Sequence, residues 1–300
     1  MSNALRITYG RFGRVALLDM DRSLVQHAHP HCHVLLKVDG ADTQFAVGDR
    51  WVKLTDTQAV LINAWEPHAY VHDSKRPRTT ILALYIEPDW LTTFRTNWNA
   101  SAAFQLFRHG GGELSPRIRS LTMSLADLMV TQPEAVAKQE EMIADLMIAV
   151  IERFTAWRET ASVREMAAER GGMDWRIRRA IDLLRKGTGK PIDLDGVARE
   201  AGLSRAHFYR LFQQSTNMTP SIYQNMLRME LAVKSVVDSQ DKLAMVSGML
   251  GFTAPGHFSR FFHNHAGSTP TEFRAVAKLG ASRFEKRLRP APPSNFETHW

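Results

Sequence analysis

Cysteine is almost absent from this chain: Cys32 is the only one in 300 residues, so no disulfide can form within it. Such cysteine usage is typical of proteins that work in a reducing compartment. Residues 1–6 lack the hydrophobic core of a secretory signal. No apolar run approaches the roughly 20 residues that a membrane-spanning helix needs. We therefore expect a cytoplasmic protein that does not interact with a membrane.

Surplus positive charge is also missing from the first half of the chain. Residues 1–173 carry 19 Lys and Arg against 20 Asp and Glu, whereas residues 174–289 carry 19 against 10, a net charge of +9. Basic surfaces neutralise phosphates and release their counterions, which supplies the sequence-independent part of nucleic-acid affinity. The last third of the chain is therefore a candidate nucleic-acid-binding segment.

One sequence pattern occurs twice within this basic segment. The first copy reads Gly202-Leu203-Ser204, then Phe208-x-Arg210-x-Phe212, then Thr219-Pro220-x-x-Tyr223. The second copy reads Gly251-Phe252-Thr253, then Phe258-x-Arg260-x-Phe262, then Thr269-Pro270-x-x-Phe273. Two such units in one chain can contact two successive turns of a duplex, so the repeat itself indicates DNA binding.

Each copy predicts two short helices around a tight turn. A glycine supplies the turn, Ser204 or Thr253 caps the second helix, and the phenylalanines pack inward. The residues left on the outer face are Arg205, Ala206, Tyr209, Arg210, Pro255, Gly256, Ser259 and Arg260. Thr219-Pro220 then begins a helix of some 18 residues, about 27 Å long, which would separate the two units. Arg210 and Arg260 are candidates for base contacts, phosphate contacts or internal ion pairs.

These residues resemble the AraC/XylS family of bacterial transcription regulators, over about residues 174–278. The stretch Gly251-Phe252 through Phe258-Ser259-Arg260-x-Phe262 to Phe273-Arg274 resembles the family's signature. The resemblance implies two helix-turn-helix motifs joined by a long helix, each motif placing its second helix in a major groove. The family's base-contacting positions fall on Ala206, Tyr209, Arg210, Pro255, Gly256, Ser259 and Arg260.

The N-terminal half alternates short apolar runs with Gly/Asp turns, which predicts an antiparallel barrel or jelly roll. The predicted strands are Val15–Leu18, Val34–Val38, Thr43–Val47, Trp51–Leu54, Ala59–Ile62 and Thr79–Ile86. The segment His29-x-His31-x-His33 with Pro67-His68 resembles the cupin-like sensing domain of many AraC-type regulators. The expected fold class is therefore α+β and multidomain: a cupin-like barrel with adjoining helices, then an all-α domain with two helix-turn-helix units.

Histidines at positions 27, 29, 31 and 33 alternate and, with His68, suggest a pocket or a metal site. A cupin metal site would add a glutamate where Lys37 stands, and Pro30 interrupts the strand, so we expect no metal and no other cofactor. We expect these side chains to line an effector pocket instead, in which Lys37 would favour an anion. The candidate effector-binding residues are His29, His31, His33, Lys37, Trp51, Trp65 and His68.

The sequence predicts two amphipathic helices, over residues 114–130 and 134–159. The second helix carries more apolar surface than packing on a barrel requires. In the resembling family the equivalent helices form the homodimer contact; packing on the chain's own sheet is the alternative. The expected organisation is a barrel over 1–110, a dimerisation segment and linker over 111–172, a DNA-binding domain over 173–280, and a disordered tail over 281–300.

Together these features predict a homodimeric, effector-responsive DNA-binding transcription regulator without catalytic residues. The resemblance implies contact with RNA polymerase and favours an activator over a repressor. Two alternatives stay open. The chain could be a metal-dependent cupin enzyme with a DNA-binding appendage, or a DNA-binding protein that responds to no ligand.

Overall fold

The structure, a computed structural model, describes residues 3–10, 12–91, 106–155, 174–187, 192–216 and 218–277. Its N-terminal half contains two antiparallel sheets. The six-stranded sheet has the order β1-β2-β8-β3-β6-β9 and the three-stranded sheet the order β5-β4-β7. The strands are β1 Asn3–Gly10, β2 Gly13–Met20, β3 Cys32–Gly40, β4 Thr43–Val47, β5 Arg50–Leu54, β6 Gln58–Ile62, β7 His68–Val71, β8 Thr79–Ile86 and β9 Gly111–Glu113.

Both faces of the six-stranded sheet are buried, because successive side chains of a strand point to opposite sides. In β2, Val15 and Leu17 belong to one apolar cluster, whereas Ala16 and Leu18 belong to another. The first cluster continues into helices, and the second includes Phe45 and other residues of the three-stranded sheet. This double burial explains why the strands read as near-continuous apolar runs.

Two helices cover the outer face of the six-stranded sheet. After the short α1 (Pro88–Leu91), α2 spans Pro116–Thr131 and α3 spans Val136–Phe154. The apolar side chains of α3 that face the sheet, including Ile143, Leu146 and Val150, are completely buried in the cluster that contains Val15. Most of the apolar surface of α3 is therefore buried against the chain's own sheet and is not available to a second protein copy.

The C-terminal half is entirely helical among the described residues. Its helices are α4 Trp175–Lys186, α5 Leu194–Glu200, α6 Arg205–Thr216, α7 Pro220–Asp238, α8 Leu243–Met249, α9 Pro255–Ala266 and α10 over 270–277. Helices α5 and α6 form the first helix-turn-helix unit, α8 and α9 form the second, and α7 joins them. This arrangement confirms the predicted α+β, two-part fold.

Polar caps define where several of these helices begin. Asp193 accepts a hydrogen bond from the Asp195 amide at the start of α5, and Thr219 accepts one from the Ile222 amide at the start of α7, which has Pro220 as its first residue. The helix start at Thr219-Pro220 was predicted from the sequence. The prediction for Thr253 was wrong: α9 begins at Pro255, and its N-cap Ala254 makes no side-chain hydrogen bond.

Other sequence predictions have mixed outcomes. The six predicted strands are all present, within one or two residues. The alternating histidines do not share a strand face, since only His33 lies in β3 and His27 makes an isolated bridge with His68. Residues 156–172, at the end of the predicted dimerisation segment and linker, and the predicted tail over 281–300 lie outside the described residues.

Candidate functional site

The turns of the two helix-turn-helix units have the same hydrogen-bond pattern. In the first unit the Gly202 amide donates to the Arg199 carbonyl (2.9 Å), and the Leu203 amide donates to the Ala198 carbonyl (2.9 Å). In the second unit the Gly251 amide donates to the Gly248 carbonyl (3.0 Å), and the Phe252 amide donates to the Ser247 carbonyl (3.0 Å). Gly202 and Gly251 have φ values of +70° and +72°, which glycine adopts without strain. The sequence repeat is therefore a structural repeat.

The second helix of each unit buries one face and exposes the other. Phe208 and Phe212 of α6, and Phe258 and Phe262 of α9, are at most 1% exposed. On the opposite face, six of the predicted DNA-contacting residues are exposed and two are half-buried. The exposed ones are Arg205, Ala206, Arg210, Pro255, Gly256 and Arg260, and the half-buried ones are Tyr209 and Ser259.

The arginines of these faces differ in how they are held. Arg205 forms an ion pair with Asp195 (2.8 Å), in which the side chains are 67% and 48% exposed, so the pair contributes little stability. Arg210 and Arg260 form no ion pair with any residue that the structure describes. Their guanidinium groups are therefore available to an anionic or base partner.

Helix α7 connects the two exposed faces. It spans 19 residues without a break, a length of about 28 Å, comparable to the roughly 34 Å between successive major-groove faces. Its buried side chains are shared between the two halves of the molecule, since Ala232 and Val236 pack in the cluster that contains Ala16 and Leu18 of β2. The spacer is therefore anchored on the N-terminal sheet.

A cavity of about 810 Å³ lies where α7 and α9 meet β1, β2 and the loop that follows β2. Its apolar lining includes Leu18, Met226, Met229, Val233 and Phe273. Its polar lining consists of Tyr9, Arg14, His27, His29, His31, Tyr85, Glu87, Glu230, Lys234, Asp238, Gln240 and His265. Size and lining suit a small organic molecule with an apolar body and one or two polar groups.

Arg14 is the central cation of this cavity. Its guanidinium carbon lies 3.8 Å from the centroid of the Tyr85 ring and 5.6 Å from that of Phe273, a geometry that stabilises a cation over aromatic faces. Burial lowers the pKa of Arg14, but Tyr85, Tyr9 and Glu230 more than compensate, so the pKa is raised above its usual value. Its Nε is buried and has no hydrogen-bond partner among the described residues.

His31 connects the two halves of the molecule at the cavity wall. Its Nε2 lies 2.9 Å from the Glu87 carboxylate at the end of β8, and its Nδ1 lies 3.9 Å from the Glu230 carboxylate of α7. The hydrogen bond from His31 lowers the pKa of Glu87. Further contacts are a hydrogen bond from the Val25 amide to the Asn264 carbonyl (3.2 Å) and stacking of Trp65 on Tyr223 (5.7 Å).

The predicted effector-binding residues fall into three places. His29 and His31 line the cavity. His33 and His68 are buried behind His29, with ring centroids 5.0 and 4.9 Å from it. The other three lie elsewhere: Lys37 is bonded to Asp42 (2.7 Å) and Asp56 (3.1 Å), Trp51 is 64% exposed on β5, and Trp65 stacks on Tyr223 of α7.

Several cavity residues were missed from the sequence, among them Arg14, Tyr85, Glu230 and Lys234. Each lies in a strand or helix whose pattern indicates only secondary structure. They come together because distant segments of the chain pack against each other, and no local signal marks that packing.

Comparison with known proteins matches both halves of the chain. Residues 17–151 match the family model described as an AraC-like ligand binding domain, and residues 197–275 match the one described as a helix-turn-helix domain. The chain belongs to the AraC family of transcriptional regulators. This confirms the resemblance found in the sequence.

The curated relatives of this AraC-family chain match it over about a third of its length. The probable transcription factor PqrA of Proteus vulgaris is 30% identical over 83 residues, which are 28% of this chain and 68% of PqrA. The lactose operon transcription activator of Staphylococcus xylosus is 26% identical over 98 residues, 33% of this chain and 35% of the relative. The chain spans about a third of the length of the first curated relatives that it matches.

A solved structure shares the whole two-part fold. An apo variant of ToxT from Vibrio cholerae superimposes with a TM-score of 0.54 at 10% identity, covering 91% of this chain and 100% of ToxT. At that identity the likeness concerns the fold alone. No helix of the described residues combines the length and apolar character that crossing a bilayer requires.

Proposed function

We propose that this AraC-family protein regulates transcription by binding promoter DNA through α6 and α9 and a small-molecule effector in the interdomain cavity. The observation that carries the DNA-binding role is the matching exposure of both repeat faces, with Arg210 and Arg260 exposed at corresponding positions. The net charge of +9 over residues 174–289 supports the same role.

Replacement of either exposed arginine is expected to weaken DNA binding selectively. Arg210→Ala and Arg260→Ala should each cost about 1–3 kcal/mol, or about 5- to 150-fold, on a duplex selected by the protein from a random library. Bidentate arginine–guanine contacts are the physical reason. Affinity is measured by fluorescence anisotropy on the selected duplex and on a scrambled one.

Arg117→Ala is the matched control, because Arg117 is an exposed arginine of α2 on the N-terminal half. It should leave affinity unchanged. An equal loss on selected and scrambled duplexes would assign the two arginines to phosphates, and unchanged affinity in both variants would contradict the proposed DNA-contacting faces.

The effector is proposed to carry an anionic group beside Arg14 and an apolar body against α7. The buried, unpartnered Nε of Arg14 supports this chemistry, since a carboxylate is the usual partner of a guanidinium. His29 and His31 would form part of the same wall. The remaining candidates from the sequence do not line the cavity and would not contact the effector directly; they are His33, Lys37, Trp51, Trp65 and His68. No catalytic role is proposed.

A homodimer through α2 and α3 is proposed as the assembled state. Met123 and Val130 of α2 and Ile148 of α3 are 40%, 47% and 39% exposed, and the first two share a helix face at a spacing of seven. Contact with RNA polymerase and an activating role are proposed on the family relationship.

Charge placed on the α2 face is expected to separate the dimer. Val130→Glu should shift the protein from dimer to monomer in sedimentation velocity at about 10 µM, because an interface core does not accommodate an unpaired carboxylate. Trp51→Gln, at an exposed aromatic residue of β5, should leave the dimer intact. A monomeric wild-type protein at that concentration would rule out this interface.

A further inference from the structure

Histidine side chains from two segments gather at the edge of the interdomain cavity. His27 and His29 come from the loop after β2, and His68 is the first residue of β7. One ring nitrogen of each lies within 4.8 Å of the others, and the ring centroids of His27 and His68 are 4.4 Å apart. His27 and His29 also line the cavity that we propose for the effector, whereas His68 lies behind His29.

The hydrogen bonds of the three rings fix which nitrogen carries the proton. Each ring has its Nδ1 near a main-chain carbonyl: His27 near Val25 (2.9 Å), His29 near His31 (3.1 Å) and His68 near Glu66 (2.8 Å). A carbonyl only accepts hydrogen bonds, so each Nδ1 must be the donor. In a neutral imidazole the Nε2 then presents a lone pair. A carbonyl behind Nδ1 is the usual outer support of a metal-binding histidine.

The side chains of His29 and His68 are buried, whereas that of His27 is half-buried. His68 is 1% exposed, and its Nε2 has no hydrogen-bond partner among the described residues. The Nε2 of His29 lies 3.3 Å from Nδ1 of His33, whose own Nε2 is likewise buried without a partner.

Charged groups of both signs line the cavity that the cluster borders. The cavity lining carries Glu87, Glu230 and Asp238 against Arg14 and Lys234. Lys37, which we expected to oppose a metal, has its ammonium group bonded to Asp42 and Asp56 instead. That reason for expecting no metal therefore does not hold in the folded chain.

We propose that His27, His29 and His68 bind a first-row divalent transition metal, with Zn²⁺ as the representative ion, through their Nε2 atoms. Three neutral imidazoles suit zinc, nickel, cobalt and copper. Zinc–nitrogen bonds of about 2.0–2.1 Å place tetrahedral ligands about 3.3 Å apart, so nitrogens that lie within 4.8 Å of one another need to approach by up to about 1.5 Å. The inference concerns metal binding alone and does not depend on the proposed effector or DNA contacts.

A bound metal would also restrain the contact between the two halves of the molecule. The loop that supplies His27 and His29 is hydrogen-bonded to α9 through Val25 and Asn264 (3.2 Å). The His27 ring centroid lies 6.2 Å from that of His265 in α9. A shared metal would reinforce the existing main-chain bridge between His27 and His68 and so restrain the surface that α9 contacts.

The test is metal titration of untagged full-length protein after dialysis against chelator. Isothermal titration calorimetry with ZnCl₂ should give one site per chain, and Co²⁺ should produce the visible absorption of a tetrahedral complex. His68→Ala should weaken binding by more than the 10- to 100-fold that loss of an outer-shell partner costs. His27→Gln, at a half-buried ligand, is the second variant should His68→Ala fail to fold by circular dichroism.

His109→Ala is the matched control, since His109 is an exposed histidine of the N-terminal half outside the cluster. It should bind Zn²⁺ as the wild type does. Absence of saturable binding in the wild type, or equal binding by wild type, His27→Gln and His68→Ala, overturns the proposal. Neither result bears on the DNA-binding arginines, whose variants are tested without metal.

Discussion

Raising the salt concentration from 50 to 200 mM is expected to weaken DNA binding by this protein about a thousandfold or more. About six neutralised phosphates give a slope of log affinity against log salt near −5, because each contact releases condensed counterions. The surplus positive charge over residues 174–289 supplies those contacts. The measurement is fluorescence anisotropy of the full-length protein on a selected duplex at four or more salt concentrations.

The same titration separates phosphate contacts from base contacts. A variant that has lost a phosphate-binding cation should lower the slope by about one, whereas a lost base contact lowers affinity on the selected duplex at every salt concentration. A slope shallower than about −2 for the wild type would mean that the basic segment does not lie along the DNA backbone, and the proposed role of α6 and α9 would fail with it.

Removing the charge of Arg14 is expected to abolish most of the response to an anionic effector. Truncating one partner of a buried, hydrogen-bonded charge pair costs about 2–5 kcal/mol, or about 30-fold or more in affinity. A ligand at 100 times its Kd stabilises the wild type by about 2.7 kcal/mol, whereas a 30-fold loss leaves less than about 1 kcal/mol. The measurement is the thermal unfolding of wild type and Arg14→Gln with a panel of organic acids.

Two variants separate the charge of Arg14 from its packing. Arg14→Lys keeps the cation and should retain part of the ligand response. Arg22→Gln removes an exposed arginine that pairs with Asp21 and should respond as the wild type does. If no acid in the panel stabilises the wild-type protein, the anionic effector is wrong and the ligand-independent DNA-binding protein becomes the better description.

The sequence predicted the parts of this fold that local physics determines. The two helix-turn-helix units follow from glycines at positive φ and phenylalanines at helical spacing, all within about 25 residues of chain. Gly202 and Gly251 show this directly, since each turn has the same two hydrogen bonds. The strands of the N-terminal half follow from their alternation with turn residues.

Features that depend on packing between distant segments could not be predicted in the same way. The sequence did not show what the apolar side chains of α3 pack against, because a dimer contact and the chain's own sheet both fit them. In the structure, Ile143 and Leu146 are buried against the six-stranded sheet. Lys37 looked like a cavity residue from its place after the histidines, yet Asp42 and Asp56 hold it elsewhere. Arg14 gave no local signal at all.

Helix α7 has a second consequence beyond its length. Met226, Met229 and Val233 of the connector line the interdomain cavity, and the flanking helices α6 and α9 carry the two arginine-bearing surfaces. A molecule bound in the cavity would therefore contact α7 directly. A shift of α7 would change the distance between the two arginine-bearing surfaces without involving other residues. If the molecule changes the affinity of the protein for its DNA site by some factor, thermodynamic linkage requires the bound DNA to change the affinity for the molecule by the same factor.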